Sequence, residues 1–332
     1  MDLRPSADQQ QIVGVFADVY ARFATPDQVR AAEEGSTPGH DPELWRRLVD
    51  LGVLDMAVPD EDDAVSLLDL ALVAEQHGRA VAPAPLVEVI VATRLLSRFA
   101  DVDASRTTTV ALRPAHGGRV GLVPAGAVAD DAMVRDGDRV LLVPLDGHRR
   151  QVANLGDLPL ADVSLPARAT VLGEGAEAIA LFETAVDEWR VLTAAALAGL
   201  SQRALEIGVA YVKERKAFGQ PVGQFQSVQH RLADRATDTD GALLLARKAA
   251  WSAAHEPDRF RELAPMALAF GAETAIATSH DALHFHGGYG FMLEYAAQLY
   301  YRRARSWGAV LESPADGFRR AADQHLASKG AA

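Results

Sequence analysis

The sequence predicts a mainly α-helical chain with a small β domain in its middle, and three changes of texture predict it. Apolar residues recur at helical spacing through about the first third of the chain. Short β-branched and aliphatic runs between glycine turns then extend from Arg106 to about Gly175. Helical patterning returns from Ala178 onward. The boundaries read as an N-terminal helical domain over 1–105, a β domain over 106–177 and a helical bundle over 178–332. A length of 332 residues suits that division, at roughly 100–200 residues per domain.

Each element has a local reason. Ser6 and Gln9 have capping-box spacing, and Ile12, Val13, Val15, Phe16, Val19, Tyr20 and Phe23 follow at an approximate helical period. Asp41 before Pro42 places a cap residue ahead of proline at the first helical position, with Leu44, Trp45, Leu48 and Leu51 behind it. A third helix is expected from near Ser66 to Gly78, and a fourth over Leu86–Phe99 beyond the break at Pro83 and Pro85. Strands are expected at Thr107–Leu112, Arg119–Val123, Arg139–Val143 and Asp162–Pro166, set apart by turns such as Gly117-Gly118 and Asp136-Gly137. The last segment reads as an antiparallel four-helix bundle interrupted at Gly219-Gln220-Pro221, Glu256-Pro257-Asp258 and Gly287–Gly290.

Composition excludes several function classes. With no cysteine there is no disulfide scaffold, thiolate metal site, iron–sulfur cluster or cysteine nucleophile. A net charge of −12 disfavours nonspecific binding to nucleic acid or anionic membranes. No stretch approaches the ~18 continuous apolar residues of a spanning helix, and the N-terminus lacks a secretory pattern. A cytoplasmic protein without membrane insertion is expected.

The chemical candidates are individually weak. His284 and His286 could share a metal if their segment were extended, but no third ligand sits at a recognised spacing, so metal binding is not expected. Gly287-Gly288-Tyr289-Gly290 is neither a phosphate-binding P-loop nor a dinucleotide fingerprint. Arg215, at a helix end, could pair with phosphate oxygens, with Phe218 and Gln226 lining the same cleft. Taken alone, a solvated basic helix end, which the helix dipole favours, is the simpler reading of the same residues.

Taken together the motifs carry more. Arg215-Lys216-Ala217-Phe218-Gly219-Gln220-Pro221, with Phe225-Gln226 and His230-Arg231-Leu232-Ala233-Asp234, resembles a C-terminal signature of acyl-CoA dehydrogenases. His286-Gly287-Gly288-Tyr289-Gly290-Phe291, followed by Glu294-Tyr295 and Tyr300-Tyr301-Arg302-Arg303-Ala304-Arg305, resembles a second. Leu44-Trp45-Arg46 through Val58-Pro59 and Gly78-Arg79-Ala80 are similar to the family's N-terminal domain, and Asp162–Pro166 and Leu172–Gly175 to the end of its middle β domain. The resemblance implies that Arg215, Phe218, Gln226 and the Gly287-Gly288 loop reach the FAD of a neighbouring subunit. His284 stands where the family has an FAD-contacting glutamine, and Asp187 and Arg190 match a pair that contacts the acyl-CoA substrate. The implied reaction is α,β-dehydrogenation of a thioester, in which a glutamate removes the α proton and FAD accepts the β hydride.

The departures from the family pattern are as informative. The loop and strand that hold the flavin ring in other members correspond here to Ala111–Gly118 and Pro124–Asp130, which carry neither motif, and the β domain is shortened. At the commoner position of the catalytic base the chain has Leu311, with the candidate Glu312 one residue late; at the alternative position it has Trp189, beside Glu188. One residue along a helix turns a side chain by about 100°. Retention of residues for a neighbour's FAD and loss of those for its own resembles the short subunit of heteromeric (α2β2) bacterial acyl-CoA dehydrogenases. That likeness implies a larger partner subunit, a bulky or steroid side-chain acyl-CoA substrate and an electron-transfer flavoprotein as acceptor. A self-sufficient homo-oligomer using Glu312, and a non-catalytic scaffold, remain the alternatives.

Overall fold

A computed structural model describes residues 3–58 and 65–330. Pro59, part of the N-terminal resemblance, lies outside them. The elements follow the order helices, strands, helices. Helices α1 (Ala7–Phe23), α2 (Pro26–Glu33), α3 (Pro42–Asp50), α4 (Val53–Ala57), α5 (Leu67–Arg79) and α6 (Leu86–Leu96) come first. Seven strands follow: β1 (Thr108–Val110), β2 (Arg119–Val123), β3 (Asp131–Asp136), β4 (Arg139–Pro144), β5 (Arg149–Gln151), β6 (Ala161–Ser164) and β7 (Thr170–Glu174). Helices α7 (Gly175–Glu214), α8 (Gln226–His255), α9 (Pro257–His286), α10 (Ala297–Trp307) and α11 (Pro314–Gly330) complete the chain. A short hairpin pairs β8 (Lys216–Ala217) with β9 (Gln220–Pro221) between α7 and α8.

The local signals are realised in atoms. Ser6 Oγ accepts the Gln9 N–H at 3.2 Å while Gln9 Oε1 accepts the Ser6 N–H at 2.8 Å, closing the capping box. Asp41 Oδ1 accepts the N–H groups of Glu43 and Leu44, with Pro42 opening α3. The fourth helix ends at Leu96 rather than Phe99, and a turn carries the chain on to Ala100. Helices α2 and α4 and strands β3, β5 and β7 are additions to the sequence expectation, and the last helical segment begins at Gly175.

The chain clusters into two compact units, Met1–Pro26 with Ala71–Ala82 and Val191–Ala332, and Asp27–Leu70 with Pro83–Arg190. In the second, β1-β3-β4-β7 and β2-β6-β5 form separate sheets, with β1 parallel to β3 and the other pairs antiparallel. Val134, Leu141 and Val143 of the first sheet and Val120, Val123 and Val163 of the other share one apolar core, so the sheets pack face to face.

In the first unit small residues let helices approach. A Cβ on Gly78 of α5 would fall on the Ala196 carbonyl of α7, and one on Gly199 of α7 on the Glu75 carbonyl of α5. The buried Glu75 carboxylate is held by Arg247 of α8 through two bonds of 2.7 and 2.8 Å.

The same unit buries His77 between Tyr20, whose hydroxyl lies 3.3 Å from His77 Nδ1, and the stacked ring of Trp307. Burial, aided by the Arg303 charge, pushes the His77 imidazole down to about 3. The folded value lies below the unfolded one near 6.5, so this contribution to stability is present above pH ~6.5 and is lost as pH falls toward ~3. Urea titrations between pH 7 and 5 should show stability falling, with His77 supplying up to ~1.4 kcal/mol per pH unit. His77→Phe should flatten that slope; an unchanged slope would contradict the assignment.

Candidate functional site

The motif residues gather at one end of the helical bundle. Helix α7 ends at Glu214, and the Arg215 backbone is fixed from both sides: its N–H donates to the Tyr211 carbonyl at 2.9 Å, and its carbonyl accepts the Val222 N–H at 2.8 Å. The β8–β9 hairpin turns through Phe218 and Gly219, both with positive φ (53° and 83°). Glycine adopts that conformation freely, whereas a phenylalanine in it is strained. Phe218 is nonetheless 95% exposed, touching the Phe225 ring edge-on at a centroid distance of 6.1 Å.

Helix α8 begins at Gln226 without a side-chain cap, leaving first-turn N–H groups unclaimed by any capping side chain. Because α8 and α9 are joined by Glu256 alone and run antiparallel, the start of α8 lies beside the end of α9. Asp281 of α9 confirms the register: its nearly buried carboxylate meets Arg231 of α8 at 3.1 Å and Arg235 at 3.6 Å. Tyr211 of α7 stacks on His286 at 3.9 Å, which brings the end of α7 to the same place. Arg215, Phe218, Gln226, His284, Gly287 and Gly288 therefore share one end of the bundle, and all six are exposed.

The histidine pair is not extended. His284 and His286 lie in the last turn of α9, where residues two apart point about 200° from each other. His286 is buried against Tyr211 and its Nδ1 lies 2.7 Å from the Ala282 carbonyl, whereas His284 is exposed and stacks on His280 at 6.1 Å. Among the described residues no three His, Asp or Glu side chains gather as a metal site would require.

Gly287 has φ 61° and ψ −139°, a conformation open essentially to glycine alone, and added Cβ atoms at Gly287 and Gly288 would meet nothing within 4 Å. The loop thus presents bare backbone to whatever approaches. Around it, exposed Tyr289, Phe291, Met292 and Leu293 form an apolar rim.

The remaining candidates are engaged within the protein. Glu312 is paired with Arg320 of α11 at 3.0 Å, its side chain 8% exposed. Glu188 is held by Arg94 of α6 through bonds of 2.9 and 3.1 Å, beside a recess of about 200 Å³ that Arg98 and Thr184 also line. Trp189 is fully buried. Asp187 and Arg190 form a buried pair at 2.6 Å along one face of α7.

In the β-rich unit, part of Ala111–Gly118 and most of Pro124–Asp130 turn their backbone donors inward. The N–H groups of Ala111, Ala115 and His116 bond to carbonyls of Met133, Arg135 and Arg119, and those of Gly126, Ala127, Val128 and Ala129 to carbonyls of Val123, Pro159 and Ala125. The Asp130 carboxylate accepts the Thr107 N–H at 2.8 Å.

Comparison with known proteins fits both ends of the chain. Family models described as the acyl-CoA dehydrogenase N-terminal and C-terminal domains match residues 6–106 and 173–308. Acyl-CoA dehydrogenase IpdE2 of Mycolicibacterium smegmatis is 31% identical over 95% of this chain and 98% of its own. The chain belongs to the acyl-CoA dehydrogenase family. IpdE2 of Mycobacterium tuberculosis is 29% identical over 96% of this chain and 97% of its own. Among solved structures, the Tcur3481-Tcur3483 steroid ACAD G363A variant superposes with a TM-score of 0.87 at 25% identity, covering 98% of this chain and 99% of its own. The ChsE4-ChsE5 complex of Mycobacterium tuberculosis shares the fold with a TM-score of 0.88 at 24% identity, with the same coverage.

Acyl-CoA dehydrogenases are oxidoreductases, and FAD is the cofactor to test against these residues. The bundle end fits it. The side chains of Arg215 and Gln226 make no hydrogen bond or ion pair among the described residues, His284 donates to no protein group, and the glycine loop leaves space for a diphosphate. Sequence reasoning missed Tyr211, whose ring ties the Arg215 turn to the glycine loop. Its placement four residues before Arg215 was the available signal.

Strain and exposure at Phe218 give a test of opposite signs. Phe218→Gly should leave the isolated chain as stable or raise its stability by up to about 1 kcal/mol. The same change should weaken any assembly that seats the ring. Melting temperature and assembly affinity measured in parallel separate the two, and a destabilised isolated chain would mark Phe218 as structural.

Proposed function

We propose that this chain is the accessory subunit of an FAD-dependent acyl-CoA dehydrogenase, completing a flavin site shared with a larger partner in a cytoplasmic α2β2 heterotetramer. One observation carries the reading: the donors that suit a diphosphate are collected, exposed and unspent at the bundle end, while in the β-rich unit the N–H groups of Gly126 to Asp130, with those of Ala111, Ala115 and His116, are spent on its own backbone. A chain built to serve its own flavin would be expected to show the reverse in the second region.

In this reading FAD, when bound, accepts the β hydride of the acyl-CoA. Arg215 supplies a fixed positive charge to the diphosphate, Gln226 and His284 donate hydrogen bonds to the same dinucleotide, and Gly287-Gly288 admits it to backbone contact. Phe218 and the rim of Tyr289, Phe291 and Leu293 exclude water at the seam between subunits. Asp187 and Arg190 orient the acyl-CoA through the helix they brace. The proton-abstracting carboxylate is assigned to the larger subunit, because Glu312 and Glu188 are each tied to an arginine. Electrons pass on to an electron-transfer flavoprotein. A bulky substrate of the steroid side-chain class agrees with the 25% identical steroid ACAD.

The reading is tested by isolating the tagged chain from its own cells and measuring subunit mass and flavin content. Equal amounts of this chain and a larger homologous subunit, with fewer flavins than chains, are expected. A homotetramer with one flavin per chain would favour the self-sufficient enzyme.

A further inference from the structure

A second polar site lies on the outer face of the β2-β6-β5 sheet. Alternation along β6 sends Val163 into the core and turns Asp162 and Ser164 outward. Residues directly opposite in register share a face, so Arg119, opposite Ser164, and Arg150, opposite Asp162, join them there. These residues, with His148, line a half-open recess of about 470 Å³, within the range of small-molecule sites.

Its charges are arranged, not merely crowded. Arg149, opposite the core-facing Val163, turns its guanidinium to the other face of the strand, where Nη1 donates to the Ala129 carbonyl at 2.6 Å, and leaves the recess to its neighbours. Asp162 pairs with Arg150 and accepts the Leu122 N–H at 3.2 Å, so it neutralises one guanidinium. Arg119 and His148 make no side-chain hydrogen bond or ion pair among the described residues. On a chain of net charge −12, cations concentrated around one concavity are a local feature rather than a reflection of overall charge. Planar guanidinium forks with a neighbouring hydroxyl and imidazole match the oxygens of a phosphate group.

We propose that this recess binds a phosphate ester of nucleotide size, gripped by Arg119 and Arg150 with Ser164 and His148 completing the contacts. The source is either a free nucleotide or the phosphorylated adenosine head of coenzyme A. The site lies within the β-rich unit and needs no flavin, so its test stands or falls apart from the shared-FAD reading.

Calorimetric titration of the full chain at low salt with ADP, adenosine 3′,5′-bisphosphate and inorganic phosphate decides it. Saturable binding of one nucleotide per chain is expected, weakened about 10- to 100-fold by Arg119→Ala. Asp162→Asn should tighten binding, since it frees Arg150 while its amide oxygen still accepts the Leu122 N–H. A preference for the bisphosphate over ADP would identify the coenzyme A head as the source, and equal affinity a free nucleotide. Absence of saturable binding by any probe at millimolar concentration overturns the proposal. So does an Arg119→Ala chain of unchanged melting temperature and unchanged affinity.

Discussion

Arg215→Ala is expected to strip flavin from the assembled enzyme while leaving this chain folded. The guanidinium is exposed and makes no side-chain bond among the described residues, and the backbone at Arg215 is held by Tyr211 and Val222 whatever the side chain. A charge-assisted hydrogen bond contributes about 1.5–3 kcal/mol, which corresponds to roughly a 10- to 100-fold weaker hold on the diphosphate. The complex should lose its flavin absorbance on gel filtration and regain it with added FAD. Arg215→Lys should recover part of the affinity, because it keeps the charge and loses the fork. Full flavin retention by the Arg215→Ala complex would remove Arg215 from the site.

The largest expected loss of stability comes from Gly78→Ala. The crossing of α5 and α7 is reciprocal: Gly78 faces Ala196, and three residues along each helix Glu75 faces Gly199, with carbonyl oxygens where the two Cβ atoms would stand. Alanine improves helix propensity by up to about 1 kcal/mol, but here its methyl meets rigid backbone instead of a side chain that could turn away. The clash wins. A loss of about 3 kcal/mol or more is expected, a fall in melting temperature of roughly 6–12 °C or failure to fold. Gly14→Ala is the matched control, since a Cβ on that exposed α1 glycine meets nothing within 4 Å, and it should stabilise slightly. Equal melting of the two variants would contradict the close approach.

What the sequence could show follows from how local each signal is. The caps at Ser6 and Asp41 act within one helical turn, so the starts of α1 and α3 could be read from spacing alone. β2 was legible from end to end because Arg119–Val123 lies between clear turns. β5 was not: Arg149-Arg150-Gln151 has no apolar pattern, and the segment is a strand only because β6 pairs with it. β3, with its charged ends, is placed between β1 and β4 by tertiary pairing.

The site divides in the same way. Arg215, Gln226 and the glycine loop were visible as motifs, but their gathering depends on the Tyr211–His286 stack and the Asp281 ion pairs, which no spacing along one helix reveals. The histidine alternation misled for the converse reason, since helix α9 continues through His286 and separates rings that an extended strand would align.

The most direct test of the shared-site account is the visible spectrum and flavin-to-protein ratio of this chain purified alone. The account predicts a colourless, folded protein that acquires no flavin band when FAD is added without its partner. One tightly held flavin per chain would contradict it, and would mean that the β-rich unit holds the ring by contacts other than those its loop donors make in the fold.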